Sequence, residues 1–272
     1  MYKPVLVGAD PEMFMFDHGV PISAFGRIPG DKDNPFPVEG GAVQVDGMAL
    51  EFNINPANNE DQFVANLNKV ISTLRNMVPD FDVLPVPVAE FGEDYIRMQP
   101  EAATHLGCNP DFDAWKDGYV NEPPNAQLPF RTGAGHVHVG WVEGNDASVY
   151  NDDHITDCCN RIKQLDFYLG LPSLFYDKAT KRREMYGQPG CFRPKTYGAE
   201  YRVLSNAWLA SDQLKRWVYR NTQAAMAEAE KGNFAFNKVP KTIMKNMMDP
   251  NPDLKRVQMV LDKLNIEIPK VA

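Results

Sequence analysis

The chain has 272 residues, 43% of them apolar and 11% aromatic, enough for one large core or two small ones. Its net charge of -8 argues against a nucleic acid held by a general electrostatic surface and favours small charged substrates. The four cysteines, Cys108, Cys158, Cys159 and Cys191, include no CxxC pair, so neither a zinc knuckle nor a disulfide framework is indicated and a reducing cytoplasm is the expected setting.

Residues 5–16 read as a strand that carries Asp10 and Glu12, with Gly8 permitting close backbone approach. The run lacks the apolar core of a leader, and no later run reaches membrane length, so neither secretion nor a membrane is expected. Residues 40–55 read as a hairpin turning at Asp46-Gly47, where positive φ at both positions would give a type I′ turn. Its return strand puts Glu51, Asn53 and Asn55 on one face, and Phe52 and Ile54 on the other.

Apolar residues at helical spacing, Phe63, Val64, Leu67, Val70, Ile71, Leu74 and Met77, predict a helix over 60–78, capped by Asn58 or Asn59 and stopped by Pro79. Residues 79–130 are Pro-rich and irregular, with a strand expected over 83–91 and a long loop over 109–129 that could lie over a site. A strand over 133–142 and a helix over 152–169 follow. A Gly-rich loop at 187–190 leads into a strand over 199–206. Two more helices, 212–231 and 253–264, are joined by a linker bearing Lys238, Lys241 and Lys245. Without a repeat or a clear boundary, the chain reads as one catalytic domain, 1–272, with 210–272 a helical C-terminal extension. The irregular mixture of elements predicts an α+β fold, with helices packed on one face of a mainly antiparallel sheet and the other face free for a ligand.

Four of these strands carry two polar residues at i, i+2, a spacing that points both side chains to one face. The pairs are Asp10/Glu12, Glu51/Asn53, His136/His138 and Glu200/Arg202. Taken alone each pair has a bland reading as a solvated strand face, and for Asp10/Glu12 that reading is as good as the functional one. Together on one sheet they would concentrate carboxylates and imidazoles in a small volume and call for cations. Carboxylates outnumber imidazoles, which points to Mg²⁺ or Mn²⁺ and nucleotide chemistry rather than zinc. The metal candidates are therefore Asp10, Glu12, Glu51, His136, His138 and Glu200.

The small residues flanking His136 and His138 suggest close approach by a metal or phosphate. The segment 182–202 holds five basic side chains, Arg182, Arg183, Arg193, Lys195 and Arg202, and glycines whose backbone could meet an anion. It reads as a triphosphate site, with Arg182, Arg183, Arg193, Lys195 and His138 as nucleotide contacts. The bland alternative is a solvated basic loop. There is no Walker or GxGxxG pattern, no GxSxG elbow and no activating context for a cysteine. Cys158, Cys159, Trp208 and Trp217 read as packing residues; His105 and His154 have no assigned role. A cupin-like metalloenzyme built on the HxH pair is a rival reading, as is a non-catalytic nucleotide-binding relative.

The blocks Gly8-Ala9-Asp10-Pro11-Glu12-Met13-Phe14, Gln44-Val45-Asp46-Gly47 with Leu50-Glu51-Phe52-Asn53, Gly135-His136-Val137-His138-Val139-Gly140, and Tyr186 to Leu209 resemble, in their order and combination, the phage-type carboxylate-amine ligases of type 2. Those are distant relatives of glutamate-cysteine ligase and glutamine synthetase. The resemblance implies a curved, mainly antiparallel sheet forming a half-open funnel, with helices packed on its outer face, binding ATP and two or three divalent ions. Glu12 (or Asp10), Glu51, His136 or His138, and Glu200 would hold the metals. Arg193, Lys195 and Arg202 would be the catalytic cations that neutralise the γ-phosphate and an acyl phosphate. Glutamate-cysteine ligases usually carry Glu-x-Glu on the first strand; Asp10-Pro11-Glu12 stands here, leaving two alternatives for that ligand. Asp46 or Glu39 would take the proton of the amine. The expected substrates are a small-molecule or peptide carboxylate and an amine, in the cytoplasm of a host if the chain is phage-encoded, and a homo-oligomer is conceivable.

Overall fold

The computed structural model describes residues 4–104, 111–122 and 128–270. His105, Cys108 and, from the expected 109–129 loop, residues 109–110 and 123–127 lie outside the described residues, while the described part of that loop adds two short strands to the main sheet. The early strands are β1 (Leu6–Asp17), β2 (Val20–Ile22), β3 (Phe36–Val38), β4 (Gly41–Asp46) and β5 (Ala49–Ile54). Five short ones follow: β6 (Asp82–Leu84), β7 (Val88–Glu90), β8 (Phe112–Asp113), β9 (Tyr119–Val120) and β10 (Phe130–Thr132). The last are β11 (Gly135–Gly140), β12 (Cys191–Lys195) and β13 (Gly198–Tyr201).

Eleven of these strands form one antiparallel sheet in the order β3-β4-β5-β1-β11-β13-β12-β8-β9, with β2 and β6 on the far end of β1; β7 and β10 form a separate ribbon. The fold is α+β, with β1 at its centre. Leu6 to Pro11 pair with β11, and Glu12 and Met13 pair with β5. Pro11, which has no N–H for a ladder, falls where one pairing gives way to the other.

Alternation along the strands divides the sheet into two faces. Val7, Ala9, Met13, Phe52, Val137, Val139, Ala199 and Tyr201 point to a core shared with Phe63, Leu67, Leu74, Leu165, Trp217 and Val218 of the long helices. Each such fully buried large side chain contributes about 2 kcal/mol. Those helices are Glu60–Met77, Asp152–Leu165 and Asp212–Glu230. Their first turns are fixed by side-chain caps: Asn59 Oδ1 accepts from Gln62 N at 2.9 Å, Asn151 Oδ1 from Asp153 N at 2.9 Å, and Ser211 Oγ from Leu214 N at 3.2 Å.

Several local expectations are corrected. The hairpin turns on Gly47-Met48, with Asp46 paired to Ala49 and positive φ at Gly47 (57°) but not at Met48, so the turn is not type I′. The strand over 83–91 is two short ones, β6 and β7, interrupted at Pro85 and Pro87. The helix over 152–169 is α-helical to Leu165 and continues as a π-turn over Asp166–Gly170. Asp166 in that turn accepts from Trp115 Nε1 (2.6 Å) and Tyr201 Oη (2.8 Å). The strand over 199–206 ends at Tyr201, and the segment 182–202 is a short helix, Thr180–Met185, followed by the β12–β13 hairpin. Among the described residues, no helix is long and apolar enough to cross a membrane.

Candidate active site

The face of the sheet away from the long helices opens on a cleft of about 340 Å³. Asp10, Glu12, Glu51, His136, Glu200 and Arg202 line it, joined by Arg193 and Lys195 from β12. The i, i+2 pairs read from the sequence thus meet, because the strand register sets them opposite one another. Asp10 faces His136, His138 faces Glu200, Glu200 faces Arg193, and Glu12 faces Glu51.

At the centre, Asp10, His138 and Glu200 each offer one ligand atom, all within 4.8 Å of one another. Asp10 Oδ1 lies 2.9 Å from His138 Nε2, yet neither atom makes a hydrogen bond of acceptable geometry. His136 Nε2 is likewise buried and unbonded, while its Nδ1 sits 3.3 Å from Glu200 Oε1 and 3.5 Å from Asp10 Oδ1. Donor atoms that converge without bonding one another fit a small cation between them, and oxygen-dominated donors suit Mg²⁺ or Mn²⁺. Tyr197 Oη, 2.5 Å from His138 Nδ1, fixes the ring so that Nε2 faces this point.

The cations gather on the β12–β13 side. Lys195 Nζ is 3.0 Å from Glu200 Oε2, and Arg202 Nη1 donates to Glu200 Oε1. Arg202 Nε also lies 2.6 Å from Asp111 Oδ1. On the β5 side acids dominate. Glu12 accepts from the Ala134 N–H (2.7 Å), Glu51 from Gln44 Nε2 (2.6 Å), and Asp46 completes that wall.

These surroundings set the protonation. Burial would raise the Asp10 carboxyl, but the charge of His138 and the close approach of both imidazoles hold it well below the usual range. Burial and the charge of Asp46 push Glu12 up to about 7, against the Ala134 bond. Burial, then Asp10, Asp46 and Glu12, raise Glu51 well above its ordinary value. Glu200 is raised by burial and Asp10 despite His138 and Lys195. Burial and Arg202 keep His136 neutral, whereas Asp10 raises His138 in spite of burial.

Other expected residues stand apart. Arg183 is buried in an ion pair with Asp177 (3.1 Å), outside the cleft lining. Arg182, also buried, donates to the Val203 carbonyl at 2.7 Å from behind the wall, within electrostatic reach of Glu12. Glu39 is exposed and paired with Lys69 at 2.7 Å, so Asp46 is the one of the two expected proton acceptors that lines the cleft. His154 Nε2 contacts the Lys195 carbonyl instead of the site.

The glycine expectations are also corrected. A Cβ at Gly135 would stand 2.1 Å from the Ser205 carbonyl, so packing between chain segments, not a ligand, demands that glycine. Gly187 and Gly190 similarly abut Arg182 and Trp115. Gly8 meets nothing closer than 3.5 Å and instead leaves open a neighbouring apolar recess of about 260 Å³, lined by Leu6, Ile54, Pro56 and Tyr197.

Sequence reasoning missed Asp111, the Tyr197 contact and Arg131, which lines the cleft from β10. None belongs to an i, i+2 polar pair on a recognisable strand, and their roles depend on partners distant in sequence.

The family model described as phage phiEco32-like COOH.NH2 ligase-type 2 matches residues 128–245, supporting the resemblance drawn from the sequence. No curated relative matches the chain. The matched segment includes β10, β11, β12 and β13, hence His136, His138, Arg193, Lys195, Glu200 and Arg202.

Proposed function

We propose, from the likeness of residues 128–245 to a carboxylate-amine ligase family, that the protein is an ATP-dependent ligase forming an amide through an acyl phosphate. The observation that carries this reading is the convergence of Asp10, His138 and Glu200 beside Lys195, Arg193 and Arg202. A metal centre next to fixed cations meets the main demand of joining two anions, which is charge neutralisation and alignment. The catalytic fold is proposed to be of the glutamine synthetase and glutamate-cysteine ligase kind.

In this scheme an oxygen of the substrate carboxylate bonds to the γ-phosphorus of ATP as the bond to ADP breaks. An amine then attacks the acyl carbon, releasing inorganic phosphate and losing a proton, with Asp46 the proposed acceptor. Mg²⁺ or Mn²⁺ held by Asp10, His138 and Glu200, with Glu12 and Glu51 as further ligands, would neutralise phosphate oxygens when bound. Arg193 and Lys195 present positive charge to the transferring group. Arg202, tied to Asp111 and Glu200, holds the second side of that wall in register. The partners are proposed to be a small-molecule or peptide carboxylate and an amine, met in the cytoplasm.

Titration calorimetry of the whole chain tests this reading. ATP should bind only with Mg²⁺ or Mn²⁺ present, and Glu200→Gln should weaken binding at least about tenfold by removing a ligand charge. Equal ATP affinity with and without divalent ions, or none under either condition, would sink the proposal.

A further inference from the structure

Asp111 is a buried carboxylate that belongs to none of the paired polar positions of the cleft. It stands at the head of β8, and its carbonyl accepts from the Asn121 N–H at 2.7 Å, closing the β8–β9 hairpin. Cys191 and Phe192 of β12 pair with Asp113 and Phe112 of β8, and one step further along the same register Asp111 comes level with Arg193. A single oxygen, Oδ1, lies 2.6 Å from Arg202 Nε and 3.8 Å from Arg193 Nε. At their other ends the two guanidiniums meet Glu200. Arg202 Nη1 donates to Glu200 Oε1, and Arg193 Nη1 is 3.9 Å from the same oxygen. Two cations and two acids thus form a closed ring of alternating charge, with Asp111 on the Nε side and Glu200 on the Nη1 side.

This ring decides where the guanidiniums point. Two cations this close repel one another, and both are largely removed from water. An acid against both Nε atoms draws them together and turns their Nη ends toward Glu200, one of the three converging ligand residues. Glu200 has other claims on it, from Lys195 at 3.0 Å and from the point it shares with Asp10 and His138. Among the described residues, the ion-pair partners of Asp111 are Arg193 and Arg202. Neither Asp111 Oδ1 nor Arg202 Nε completes a hydrogen bond of good geometry, so the hold is one of charge and proximity. Asp111 also precedes the segment that carries the family likeness, which begins at residue 128.

We propose that Asp111 is a positioning residue for recognition of the nucleotide's terminal phosphate. It does not touch the nucleotide; it sets Arg193 and Arg202 side by side, and so governs how much the γ-phosphate adds to binding. This rests on the ligase reading of the cleft. Simple charge repulsion predicts the opposite sign, because an acid beside a phosphate site weakens binding, so removal of the charge separates the two accounts.

Titration calorimetry of the whole protein with ATP and with ADP, each with Mg²⁺, isolates the terminal phosphate as a ratio of affinities. The wild-type ratio should be about tenfold or more, as charge-assisted pairs to a phosphate provide. Asp111→Asn, uncharged and of nearly the same shape, should bring the ratio to about threefold or less while ADP affinity and the melting temperature of the unliganded protein stay near wild type. Asp111→Glu, which restores the charge one methylene further out, should recover part of the ratio. In an Arg202→Gln background Asp111→Asn should lose most of its effect, because the acid acts through that guanidinium. An unchanged ratio in Asp111→Asn would overturn the proposal, as would a higher one, the mark of simple repulsion. An equal loss of ATP and ADP affinity, the mark of a merely structural role, would overturn it too, and so would a wild type that binds both nucleotides equally. If the asparagine protein does not fold, the glutamate protein decides alone: a ratio below that of the wild type supports the proposal, and the full ratio overturns it. A wild type that binds neither nucleotide would remove the ligase reading and this inference together, whereas variants that discriminate as the wild type does would remove this inference alone.

Discussion

Asp166 illustrates how a single side chain outside the cleft links chemistry to stability. It is fully buried beneath the sheet, and burial pushes its carboxyl up to about 7 although Trp115 and Tyr201 both donate to it. A carboxyl raised on folding favours the folded state while it is protonated. Its contribution is therefore complete below the ordinary value near 3.8 and lost as pH rises through about 7. The gap corresponds to an upper bound of about 4 kcal/mol. Asp166→Asn, which can offer Trp115 an oxygen and Tyr201 a donor, should be more stable relative to wild type at pH 8 than at pH 4. Urea denaturation at the two pH values reads this directly, and an unchanged difference would show that the carboxyl ionises without penalty. Both partners come from other elements, so nothing local in Leu165-Asp166-Phe167 marks the group.

The strand bearing His136 and His138 shows what a strand-period reading could and could not supply. The alternation of Gly135 to Gly140 was legible because side-chain direction along a strand depends on local geometry alone. The same holds for Asp10/Glu12 and Glu200/Arg202, and for the capped, amphipathic helix starting at Glu60. The meaning of the flanking glycines was not legible, since a missing Cβ looks alike whether a ligand or another part of the chain fills the space. Here they part. Gly135→Ala drives a methyl into the Ser205 backbone and should cost at least about 1–3 kcal/mol, with a measurable loss of melting temperature. Gly8→Ala finds ordinary contacts and should change stability by about 0.5 kcal/mol or less. A comparable loss for the two would mean that the β1–β11 surface is packed from both sides. Asp111 and Arg131 stayed hidden for a related reason, since short irregular segments carry them to the site and their value lies in what they meet there.

At the scale of the molecule, the last quarter of the chain is woven into the core that backs the cleft. Tyr219 packs against Phe63 with ring centroids 5.6 Å apart, Arg216 pairs with Glu60 and Asp61, and Trp217 Nε1 donates to the Glu267 carbonyl at 3.0 Å. Beyond the Asp212–Glu230 helix, Val257, Leu261 and Ile266 are buried in the same cluster. Truncation after residue 252 removes those three side chains and should cost about 5 kcal/mol or more, enough to leave little cooperative unfolding in a thermal melt. Retention of a sharp transition near the wild-type temperature would mark that segment as dispensable.

The central position of β1 bears on how the protein is made. Asp10 is made long before its strand partner His136 in β11, and Glu200, which faces His138, follows some sixty residues later still. Until then one edge of a long strand lacks its ladder, and Asp10 lacks the imidazole opposite it. Non-local pairing of this kind folds slowly and leaves nascent chains open to wrong partners. The acidic residues that serve the finished cleft would also act during translation, keeping an unpaired, otherwise apolar strand charged and in water until its neighbours arrive.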